Sequence, residues 1–144
     1  MELNHVFLAF SFSMFASAVS FAQRPFEGYF LNNDLDISCR LNLYSHSIPV
    51  PGLETDSCYG YIQGRINGTW IVLKVKESDD NRILARAVND KGSDAQDIEF
   101  AVAENGQITM RQVDGSYIKG IDKRKYVKLP KTVVLDPMGG KRDD

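Results

Sequence analysis

Residue types that do chemistry are sparse in this chain. His46 sits between Ser45 and Ser47, and His5 is the other histidine. A histidine can act as base to a serine nucleophile, but only with an orienting acid and the correct geometry. Neighbours along one loop do not supply that geometry. The expectation is therefore a surface histidine and no catalytic residue. Cys39 and Cys58, with His46 the single histidine beyond residue 22 and at an unrelated spacing, fall short of a ligand set, so no metal and no cofactor is expected. The acidic run Asp90, Asp94, Asp97, Glu99 and Glu104 does not have the spacing of a calcium loop, with its glycine and terminal glutamate at fixed positions. An enzyme of unknown class stays as one alternative reading.

The sequence is better furnished for recognition. Tyr59, Tyr61, Arg65, Trp70, Lys74 and Lys76 interleave rings with cations across two adjacent apolar-periodic runs. Such a face suits a sugar ring or an acidic protein surface, and ordinary cross-strand pairing is the plainer account. A second candidate is the connection 44–57, with His46, Glu54 and a Pro49-Val50-Pro51-Gly52 turn, because loops carry much binding function. The cations Lys119, Lys123, Arg124, Lys125, Lys128 and Lys131 form a third cluster. Lysine-rich edges guard against aggregation, with an anionic partner as the second reading. Asn67-Gly68-Thr69 matches a glycosylation sequon.

These residues must be positioned by strands. Leu35, Ile37, Cys39, Leu41 and Leu43 alternate without a break, the pattern of a half-buried strand. Further strands are expected at 26–31, 57–66, 69–76, 82–88, 97–103, 107–112 and 116–121, separated by turn residues. About eight strands in a meander are best closed, because closure removes exposed edges. The expected fold is all-β, a small antiparallel up-and-down barrel. In strand pattern this outline resembles the calycin-type barrels of lipocalins and avidins, and that of some bacterial periplasmic lysozyme inhibitors. The resemblance carries no ligand with it.

Register follows from turns. Cys39 opposite Cys58 gives one disulfide, whose closed loop of about 20 residues is worth roughly 3 kcal/mol. A two-residue Asn67-Gly68 turn pairs Ile62 with Leu73, putting Trp70 and the tyrosines outside. Gly60, Gly64, Ala85 and Ala87 then point inward, which either leaves room for an apolar ligand or marks a tightly filled barrel. Three-residue loops ending in Gly106 and Gly115 pair Val102 with Ile108 and Met110 with Ile118.

The address comes from the N-terminus. Val6 to Phe21 is apolar apart from scattered serine, and Ser20-Phe21-Ala22 fits an export cleavage site, with Ala16-Ser17-Ala18 as a second. Residues 1–22 are expected to be a signal peptide cut after Ala22, too short for a stable membrane anchor. Residues 23–135 form one domain, and 136–144 a flexible tail. Removing Glu2 with the signal leaves 17 cations against 18 anions, a net −1, so nucleic acid is not an expected partner. The chain reads as a secreted or periplasmic binding module for a protein or glycan, of inhibitor or immunity type. A carrier of an apolar ligand in the lumen is the alternative.

Overall fold

The computed structural model describes residues 24–138. The expected signal peptide and most of the expected tail lie outside them. Among the described residues no helix is long and apolar enough to cross a membrane.

Twelve strands are described: β1 (Glu27–Asn32), β2 (Ile37–Asn42), β3 (Ile48–Val50), β4 (Leu53–Cys58), β5 (Gly60–Gly64), β6 (Trp70–Ser78), β7 (Arg82–Asn89), β8 (Ala95–Val102), β9 (Ile108–Gly115), β10 (Lys119–Asp122), β11 (Lys125–Lys128) and β12 (Thr132–Pro137). Eight close into an antiparallel barrel in the order β1-β12-β9-β8-β7-β6-β5-β2, each beside its neighbour along the chain. The expected closed meander is therefore present. The other four form two hairpins: a flap, β3–β4, and an arm, β10–β11.

The expected eighth strand, 116–121, is replaced by β12. Gly115 does not end a turn but extends β9, taking φ +127° where a Cβ would collide with the Ala95 carbonyl. Met110 accordingly pairs with Val133, not Ile118, and Leu135 is wholly buried. β12 reaches Pro137, so Asp136 and Pro137 belong to the barrel rather than to a tail. The β8–β9 hairpin matches its expected register, with Val102 opposite Ile108 and Phe100 opposite Met110.

The expected disulfide is absent: Cys39 and Cys58 are both buried free thiols. β2 and β5 pair four residues further along than expected, setting Cys39 opposite Ile62 and Leu41 opposite Gly60. Gly60, at φ +149°, lets the chain approach the Arg40 carbonyl so closely that a Cβ would clash. Cys58 lies beyond this irregularity, in the flap, and packs with Ile48 and Val50 rather than inside the barrel.

The interior is filled by large side chains, among them Trp70, Phe26, Phe30, Phe100 and Met110, with Ala85 and Ala87 beside them. Among the described residues every buried side-chain nitrogen and oxygen has a hydrogen-bond partner. Gln96 donates to the Ser116 carbonyl at 2.9 Å, and Gln112 accepts from the Ile118 amide at 2.7 Å. Outside, Asp97 pairs with Lys76 and Arg86, and Glu99 with Arg82 and Arg111, stitching β6 to β9.

Candidate binding surfaces

The expected outer face does not assemble. β5 and β6 pair Ile62 with Trp70 and Gly60 with Val72, an offset of three residues from the expected register. An odd offset turns the strand over. Trp70 is 1% exposed and belongs to the core. Its indole N–H donates to the Asn67 carbonyl at 3.1 Å, and the Asn89 amide donates to the same oxygen at 2.7 Å. The connection 65–69 is therefore held by tertiary bonds and is no two-residue turn. Register shifts within β6 return Val75 to the core side while Leu73 and Lys74 stay exposed.

The other members of that set are dispersed. Tyr61 lies opposite Ile71, and both pack under the flap. Tyr59 packs against the barrel core, with the His46 ring edge-on at 5.0 Å. Lys76 is held by Asp97 at 2.7 Å. Arg65 and Lys74 are exposed.

The connection 44–57 is a hairpin flap rather than an irregular loop, and Glu54 is exposed on β4. His46 finds a serine, though not the expected neighbours: Ser57 Oγ lies 2.8 Å from His46 Nδ1. Such a pair is the start of a nucleophile–base arrangement, but no acid bonds the other ring nitrogen among the described residues. Between flap and barrel wall lies a groove of about 560 Å³ lined by His46, Leu53, Asp56, Ser57, Ile71 and Leu73. Among the described residues, no group of three His, Cys, Asp or Glu is placed to hold a metal ion.

The arm is the remaining surface. β10 is anchored to the barrel by the Asn67 amide on the Lys119 carbonyl at 2.8 Å and the Ile121 amide on the Arg65 carbonyl at 3.1 Å. Lys119 lies directly opposite Lys128, and Asp122 opposite Lys125. The two-residue turn, Lys123-Arg124, has both residues at positive φ, 51° and 72°. This is the type I′ geometry in which Asn-Gly is the relaxed choice. Tyr117 and Tyr126 are 59% and 62% exposed, and Lys119 Nζ lies 5.6 Å from the Tyr126 ring centroid. The charges were legible in the sequence, but not the hairpin that presents them. The signal available was the short repeat of Lys and apolar residues on both sides of Lys123-Arg124.

Known protein families, curated proteins and solved structures were compared with the chain, and none matches.

Proposed function

We propose that this protein is a binding module that engages a macromolecular partner from its outer surface, through the β10–β11 arm. One contrast supports this reading. Four barrel-wall cations, Lys76, Arg82, Arg86 and Arg111, each meet a carboxylate, and Arg40 and Lys74 stand singly without one; by contrast Lys119, Lys123, Arg124, Lys125, Lys128 and Lys131 lie close in sequence and none forms an ion pair among the described residues. Six cations against Asp122 give residues 119–131 a net charge of +5 in a chain whose total is −2. Concentrated, unneutralised charge beside exposed tyrosine suits an anionic macromolecule. The filled interior favours the outer surface over a lumen carrier. An export signal at 1–22 would place the module outside the cytoplasm.

The test compares capture by the purified protein and by a Lys123→Glu/Arg124→Glu/Lys125→Glu variant, from the native extracytoplasmic fraction. A partner retained by the first and lost by the second is the expected result. Equal capture by both would remove the arm from the account, and quenching of Trp70 by an added long-chain fatty acid would move binding to the lumen.

A further inference from the structure

The arm also has an open backbone edge. Lys119 and Ile121 turn their main-chain groups toward residues 65–67. Because antiparallel ladders alternate, it is Gly120 and Asp122 that bond to Val127 and Lys125. The N–H and C=O groups of Tyr126 and Lys128 therefore point away from β10. β11 has no second neighbour among the described residues, and all four of its residues are exposed. A free strand edge is a template for another strand.

Resting on the reading of the arm as a binding surface, we propose that β11 receives an extended acidic segment of a partner protein as an added strand. Charge selects the occupant. A second copy of β11 would set Lys125 and Lys128 against lysines, and the ladder already carries Lys119 against Lys128. An acidic strand removes this repulsion, placing carboxylates beside Lys125 on one face and Lys128 on the other. Tyr126 and Val127 offer apolar contact to the alternate side chains. A bilayer fits less well: the tip is Lys123-Arg124, so the cations would have to enter before the apolar residues at the base of the arm. The edge exposes main-chain groups of two residues, a match for a segment of about five residues.

The experiment uses the purified protein and a fluorescein-labelled acetyl-Glu-Val-Val-Glu-Glu amide, whose first and fourth residues fall on opposite faces as Lys125 and Lys128 do, read by anisotropy at low ionic strength. The control peptide is N-methylated at every residue, which keeps its charge and removes its ladder donors. Binding of the first peptide roughly tenfold or more tighter than the control is expected, with a similar loss in Lys125→Glu/Lys128→Glu. Both substituted side chains are exposed, so circular dichroism should be unchanged. Equal binding of the two peptides, no binding of either, or preference for heparin or phosphatidylglycerol vesicles over the unmodified peptide overturns strand addition. Arm-dependent capture of a native partner would survive those results, so the two readings fail separately.

Discussion

Asn67 accepts the indole N–H of Trp70 on its backbone carbonyl at 3.1 Å, tying the sole tryptophan of the chain to the connection that sets the β5–β6 register. Burial of the ring and satisfaction of its one polar atom are achieved together. Trp70→Ala should therefore destabilise the protein by about 3–5 kcal/mol, as large-to-small core changes do. A denaturant titration showing a lowered midpoint checks this. Wild-type emission should be blue-shifted and shielded from iodide.

Burial pushes the Cys39 thiol up to about 12, against an ordinary value near 9. The folded state keeps a proton that the unfolded state releases, so stability is complete below about pH 9. It should fall by roughly 1.4 kcal/mol per pH unit as pH climbs toward the folded value. Titration of other groups is shared by Cys39→Ala, so the difference between wild type and variant isolates this slope. Parallel stability curves above pH 9 would contradict it.

With both thiols free and buried, a thiol reagent should find no rapidly reacting group in native protein and two groups after denaturation. Mass spectrometry of unreduced peptides should show no Cys39–Cys58 crosslink.

Asp97 accepts from Lys76 at 2.7 Å and Arg86 at 2.9 Å, and its side chain is 6% exposed. Asp97→Ala strands two cations and should cost about 1–3 kcal/mol, tempered by the solvent exposure of both partners. A double-mutant cycle with Arg86→Ala measures how much belongs to that pair.

Left-handed backbone costs a non-glycine residue roughly 1–2 kcal/mol. Lys123→Asn/Arg124→Gly should thus leave the melting temperature unchanged or raise it, since Asn-Gly relaxes a type I′ turn. A fall in melting temperature would show that the two cations stabilise the fold.

The closed meander and the β8–β9 pairing were legible because Phe100, Val102, Ile108 and Met110 alternate on both sides of one short turn. The Cys39 pairing was not, because a slide of four residues is even and keeps Ile37, Cys39, Leu41 and Ile62 on the inward face. At β6 either alternation is locally acceptable: Ile71, Leu73 and Val75, or Trp70 and Val72 followed by a bulge. What decides is non-local, namely Ile66 buried against the arm at Gly120, and Asn89 reaching Asn67. The binding face inferred from that alternation failed for the same reason. β12 escaped notice because Val133 and Leu135 give only two inward positions before Pro137.

Barrel closure joins β1 to β12 through two registered pairs, Phe30 with Pro137 and Leu31 with Asp136. The first strand of the barrel thus waits for its last. During synthesis β1 has β2 along one side and no strand along the other among the described residues until residue 137 has emerged. The fold is completed at a single late event, and a chain stopped before Val133 would leave two open edges on a nearly finished sheet.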